Sequence, residues 1–109
     1  VDVVNPRRFD VWIVTLDPAV GAEMRKSRPC VILSPDEMNR HLRTVIVAPL
    51  TTMLRDYPSR VRTRFQSRDC DVALDQPRAV DQGRLAKRLG AISTDTARRI
   101  TDTLAQIFG

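Results

Sequence analysis

Lysine is scarce in this chain of 109 residues: Lys26 and Lys87 are the only two, so arginine carries nearly all the positive charge. Histidine occurs once, as His41, and cysteine twice, as Cys30 and Cys70. One histidine and two cysteines far apart give no zinc-ligand spacing, and no glycine-rich loop precedes a helix, so neither a zinc site nor a nucleotide-hydrolysing phosphate loop is expected. His41 sits in the polar stretch Asn39-Arg40-His41-Leu42-Arg43 with no nucleophile motif near it, which reads as a solvated loop histidine. Each cysteine lies in an apolar run, Pro29-Cys30-Val31-Ile32-Leu33 and Cys70-Asp71-Val72-Ala73-Leu74, where a free thiol behaves as a small hydrophobe. Two reduced core cysteines are expected rather than a disulfide.

No apolar run approaches the roughly 20 residues of a membrane-spanning helix, and the start Val1-Asp2-Val3-Val4-Asn5-Pro6 lacks a signal-peptide pattern. A cytoplasmic protein with no membrane partner is the expectation. What the chain does hold is 42% hydrophobic and 28% charged residues, an ordinary globular balance. The length suits one domain over 1–109 with one core. The formal net charge is +5. Guanidinium presents a planar fork of donors that fits phosphate bidentately, so a small arginine-rich basic domain points toward nucleic acid.

Phe9 to Leu16 is rich in β-branched and aromatic residues and is stopped by Asp17-Pro18, which marks a first strand. Ala19 to Arg28 has no apolar period and ends at Pro29, so an exposed loop is expected there. Cys30 to Ser34 reads as a strand, and Pro35 to Arg40 as a helical turn with acids in its first turn. Thr44 to Thr51 is the most strand-like run, with Pro49 suggesting an edge or a bulge. Ser59 to Phe65 alternates Val61 with arginines as a half-buried strand would, and Asp71 to Leu74, Arg78 to Val80 and Leu85 to Leu89 are further short strands. From Ser93 the period becomes helical: Ser93 or Thr94 caps, and Ala97, Ile100, Leu104 and Ile107 form one apolar face closed by Gly109. Trp12, in mid-strand, is expected in the core or a dimer interface. Many short strands and one terminal helix predict a mainly β protein, a small barrel with a C-terminal α-helix packed on it.

Gly21-Ala22-Glu23 followed by Lys26-Ser27-Arg28-Pro29, then Ala48-Pro49-Leu50-Thr51-Thr52, then Val72-Ala73-Leu74-Asp75-Gln76-Pro77-Arg78 together resemble the MazF/PemK toxins, in order and spacing over most of the chain. The resemblance implies an SH3-like barrel of the CcdB/PemK-like plasmid maintenance toxin fold. It also implies a homodimer that cleaves single-stranded messenger RNA without a metal or other cofactor, and a cognate antitoxin protein that lies across the RNA groove. In MazF-like enzymes the arginine of the Arg-Pro step and the threonine closing the Pro-x-Thr strand are catalytic, and these fall on Arg28 and Thr51. In PemK-like enzymes an aspartate at the position of Asp75 is the base, assisted by an arginine and a histidine where this chain has Ala73 and Ala22. Arg25, Lys26, Gln76 and Arg78 are the candidate RNA contacts.

Metal-free RNA cleavage proceeds by attack of the ribose 2′-OH on its own phosphate, which needs a base, positive charge on the phosphorane oxygens and a donor for the leaving 5′-oxygen. Arg28 stays protonated and suits charge stabilisation, Thr51 can donate to the same phosphate, and Glu23 and Asp75 are both candidates for the base. Arg55, Arg60, Arg62 and Arg64 read as a solvated basic face. Two other functions fit the same fold. CcdB-like toxins poison DNA gyrase by binding and rely on a tryptophan near the C-terminus, whereas this chain ends Ala105-Gln106-Ile107-Phe108-Gly109. A nucleic-acid-binding module without activity is the third reading, and Ala73 and Ala22 keep it open.

Overall fold

Alternation of apolar and polar side chains builds a curled antiparallel sheet. The computed structural model describes residues 5–17 and 26–109. Its elements run β1 (Asp10–Asp17), β2 (Lys26–Ile32), α1 (Asp36–His41), β3 (Thr44–Thr51), β4 (Arg60–Phe65), β5 (Arg68–Ala73), β6 (Arg78–Asp81), a short 3₁₀ turn (Gln82–Arg84), β7 (Leu85–Ala91) and α2 (Thr94–Phe108). The strand order is β4-β5-β3-β2-β1-β7, with β6 pairing β3 as well.

Curling comes from irregular pairing. The β1–β7 register slips between Val11 and Trp12 and again between Ile13 and Val14, and each extra residue bends its strand and increases its twist. Gly90, at the first slip, has φ +151°, a backbone conformation that side chains rarely adopt. A β-carbon there would sit 3.5 Å from the Phe65 ring, so β7 and β4, the two ends of the strand order, meet across the curl.

Period-2 alternation gives each central strand two buried faces. Val31, Ala48 and Leu50 join Val11, Leu33, Val61, Cys70, Val72, Leu74, Ile92 and Ile100 in one core. Cys30, Ile32, Val45 and Val47 join Val14, Val80 and Leu85 in the other, with Trp12 packed against it. The first core is covered by α2, whose Ile100 is fully buried and contributes about 2 kcal/mol in apolar transfer. The Ser93 hydroxyl accepts from the Thr96 N–H at 3.1 Å and caps the helix, and Thr96 bonds Thr63 of β4 at 2.8 Å. Gly109 ends it, its N–H donating to the Ala105 carbonyl. Ile107 departs from the expected apolar face: it is exposed.

Other departures have similar causes. The expected loop reaching Arg28 gives way at Lys26 to strand, because Thr15 pairs Ser27 and Val14 pairs Arg28, and the backbone ladder overrides a polar local sequence. Pro29 is accommodated because the β2–β3 ladder begins one residue later, at Cys30. Pro49 lies on a central strand, at the point where β3 exchanges one neighbour for another: β6 pairs Thr44 to Val47 and β5 pairs Leu50 and Thr51. The missing N–H therefore falls between two ladders. His41 closes α1 instead of lying in a loop. Both cysteines are buried and reduced. No helix among the described residues is long and apolar enough to cross a membrane.

Candidate functional site

Three neighbouring chain segments bring most of the described candidates together. The β2–β3 register pairs Cys30 with Pro49 and Ile32 with Val47, and continuing it two residues further sets Arg28 across from Thr51, on the same face by alternation. Arg78 opposes Val47 from the other side of β3, again on that face. Arg28 and Arg78 both act electrostatically on the Cys30 thiol between them. Burial nevertheless pushes that thiol up to about 12, so it stays protonated and is no nucleophile at neutral pH. Both arginines are exposed at this edge.

Thr51 is half-buried at the end of β3, and its Oγ1 accepts from the Met53 N–H at 3.0 Å. That bond occupies one lone pair and leaves the hydroxyl proton available as a donor. Asp75 and Gln76 stand on the turn that carries the chain from β5 to β6, beside the Ala48-Pro49 step that both strands flank. Gln76 is exposed, and its N–H donates to the Ala73 carbonyl at 3.1 Å. Asp75 accepts from Arg60 Nε at 2.8 Å. The Arg60 guanidinium holds the Asp75 carboxyl below the ordinary carboxylate range, against a smaller opposing effect of burial and with help from Ser59. Asp75 is therefore ionised at neutral pH and a weak proton acceptor. Glu23 and Arg25 lie outside the described residues; Lys26 opens β2, its side chain likewise outside.

The expected solvated basic face on β4 is a ladder of ion pairs. Arg62 stands opposite Asp71 and Arg64 opposite Asp69 in the β4–β5 register, and each pair is bonded, Arg62 Nε to Asp71 Oδ1 and Arg64 to Asp69 at 3.4 Å. With Arg60 on Asp75, all three β4 arginines face carboxylates. Asp71 is wholly buried. Its second oxygen, Oδ2, accepts from the Arg55 N–H at 2.8 Å. Burial alone would raise the Asp71 carboxyl, but the Arg62 and Arg55 donors, with Arg60 nearby, outweigh it and hold the group below its usual value. Asp71 also pairs with Thr51 across the β3–β5 ladder. The sequence reading missed this residue. Its signal was the pattern Arg-x-Arg-x-Arg before a turn and Asp-x-Asp after it, but the turn itself uses Gln66 and Ser67 at φ 50° and 66°, with no glycine to announce it.

Among the described residues no group of three or more histidine, cysteine or acidic side chains is placed to hold a metal. Two shallow clefts flank the Thr51 end of β3. One, of about 370 Å³, is lined by Arg55, Tyr57, Arg60 and Arg62 above the buried Asp71; the other, of about 170 Å³, by Pro29, Thr51, Phe65, Arg68 and Leu89. Between the two clefts and the Arg28/Arg78 edge, the arrangement offers guanidinium groups and a hydroxyl to an anionic chain.

The fold has close counterparts among solved structures. An endoribonuclease from a mycobacterial species, solved in complex with its cognate antitoxin, superposes with a TM-score of 0.79 at 26% identity, over 93% of this chain and 92% of that one. MazF of Deinococcus radiodurans gives 0.80 at 23% identity over 98% and 99%, and a MazE-MazF complex from the same organism gives 0.82 at 24% over 98% of both chains. The family model described as PemK-like, MazF-like toxin of type II toxin-antitoxin system matches residues 7–108. The curled antiparallel sheet with its C-terminal helix, the Arg-Pro and Pro-Leu-Thr segments on adjoining strands, and a family match over nearly the whole chain lead to one conclusion: this chain belongs to the PemK-like, MazF-like toxins of type II toxin-antitoxin systems.

Proposed function

We propose that the chain is one toxin domain, an endoribonuclease that cuts single-stranded messenger RNA at selected sequences, without a metal, in the cytoplasm, and so blocks translation. The observation that supports this reading is the end of the β2–β3 ladder, where Arg28 and Thr51 each lie two residues beyond the Cys30–Pro49 pair, with Arg78 opposite Val47 on the far side of β3. Arg28 stabilises the charge that develops on the phosphorane oxygens, and Thr51 donates its hydroxyl to the same phosphate. The 2′-oxygen attacks phosphorus and the bond to the 5′-oxygen breaks, leaving a 2′,3′-cyclic phosphate and a free 5′-hydroxyl. The 2′-OH proton passes to a carboxylate, and the leaving 5′-oxygen takes up a proton from water. Of the two carboxylates in question, Asp75 is made the weaker base by Arg60, which favours Glu23. Arg25, Lys26, Gln76 and Arg78 contact the RNA on either side. A homodimer is the active form, and a cognate antitoxin covers the groove, as an antitoxin accompanies the mycobacterial endoribonuclease.

The test is incubation of the purified protein with a long single-stranded RNA in EDTA, beside an Arg28→Ala variant, with mapping and end-group analysis of the fragments. Discrete cuts ending in cyclic phosphate, lost in the variant, are expected. RNA left whole by the wild-type protein would refute the nuclease reading and turn attention to gyrase.

A further inference from the structure

The segment from Thr52 to Ser59 leaves β3 directly after Thr51 and returns into β4, and most of its side chains, including Met53, Leu54 and Tyr57, are exposed. An exposed segment of this kind has little packing to fix it, and hydrogen bonds hold it instead, two of them at its start. The Met53 N–H donates to Thr51 Oγ1 at 3.0 Å, and two residues later the Arg55 N–H donates to Asp71 Oδ2 at 2.8 Å. Asp71 is immobile for its part: it is fully buried, it sits opposite Thr51 in the β3–β5 ladder, and its other oxygen is held by Arg62 Nε. Arg62 in turn reaches the Arg55 carbonyl at 3.4 Å and Asp56 at 3.5 Å, closing a ring around the start of the loop.

A buried carboxylate is costly unless its oxygens are satisfied, and an apolar residue would fill this position in a plain strand at no such cost. Asp71 follows the alternation of Asp69 onto the outer side of β5, where solvent exposure would be expected, and the loop together with Arg62 covers it. We propose that Asp71 is a positioning residue for Thr51: by gripping the Arg55 N–H it sets the path of the chain through Met53, and through the Met53 N–H it fixes the rotamer from which the Thr51 hydroxyl meets the scissile phosphate. The inference rests on the ribonuclease reading. Asp71 itself touches no substrate, being sealed from solvent, and the Arg62–Asp71 pair adds no net charge for a phosphate. Its effect is therefore on the geometry of the reacting complex rather than on RNA binding.

The experiment compares wild type, Asp71→Ala and Asp71→Asn by steady-state cleavage of a short RNA bearing a mapped site, and by amide hydrogen exchange at Met53 and Arg55. For Asp71→Ala the expected result is a fall in kcat of about tenfold with KM within about twofold, since displacing a reacting group raises the barrier without weakening ground-state contacts. Exchange at both amides should accelerate together. Asp71→Asn keeps a carbonyl oxygen for the Arg55 N–H and should recover part of kcat and of the protection at Arg55, and it carries the test if the alanine variant does not fold. Unchanged kcat in a variant with exposed Met53 and Arg55 amides would overturn the inference, as would a loss confined to KM. Wild-type protein that leaves RNA uncut overturns the ribonuclease reading and this inference with it, whereas full cleavage by every Asp71 variant overturns this inference alone.

Discussion

On β4, Arg60, Arg62 and Arg64 alternate with inward-facing Val61 and Thr63, and each guanidinium meets an aspartate: Asp75, Asp71 and Asp69. Around Cys30, Arg28 and Arg78 also stand on strands among apolar neighbours, yet they flank an uncharged thiol, and among the described residues no ion pair to Arg28 occurs. The two groups differ in what the hairpin brings opposite them. The β4–β5 hairpin places its acids against its arginines, so the positive charge there is balanced within the protein, while Arg28 is exposed on β2 with no ion pair among the described residues. A count of arginines therefore overstates the positive surface offered to a polyanion.

The sharpest way to break this comparison is by substitution on both sides of it. Arg28→Ala should lower kcat/KM for RNA by about 10²- to 10³-fold, the cost of removing one preorganised charge from a developing oxyanion, whereas Arg64→Ala on the exposed end of the ladder should leave it within about twofold. Equal losses in the two variants would mean that the ladder arginines contact RNA after all.

A second, smaller effect belongs to the ladder alone. Asp71 and Asp75 are held below the ordinary carboxylate range, so in the unfolded chain they take up protons at higher pH than in the folded one. Their stabilisation is complete above the unfolded value, about 3.9, and is lost as pH falls from there through the lower folded values. Urea unfolding midpoints should thus be steady between neutrality and about pH 5 and drop below about pH 4. Asp71→Asn should flatten that drop. A wild-type midpoint at pH 3 equal to that at pH 7 would show that the ladder contributes nothing to folding.

The smallest effect separates binding from chemistry. If Arg78 neutralises one phosphate, Arg78→Ala should reduce the slope of log affinity against log salt by about 0.7, the value for one contact on a single strand. Arg64→Ala should leave that slope where it was, and fluorescence anisotropy with a labelled oligonucleotide across a salt series measures both.

Much of the architecture was readable from local chemistry. The β-branched run Thr44 to Thr51, the alternation around Val61 and the Ser93 cap with Ala97, Ile100 and Leu104 each carry a period or a capping group that works over a few residues. The candidate pair Arg28 and Thr51 was legible through its motif segments. That the two share a face was not, because it depends on the register between strands about 20 residues apart. The partner exchange at Pro49 was hidden for the same reason: a proline interrupts any one ladder, and only the presence of β6 and β5 on either side of it makes the interruption useful.

The chain's composition and patterning alone determined that it folds as a mainly β protein with a terminal helix, that its charge is arginine, and that its cysteines are apolar core residues. Those properties follow from side-chain chemistry and spacing, which act locally. Tertiary structure alone decided which arginines meet aspartates, that Asp75 is tied to Arg60, and that Asp71 lies buried beside Thr51. Pairing and burial are long-range events, and the same aspartate is a solvated surface group or a buried anchor according to the register in which its strand docks.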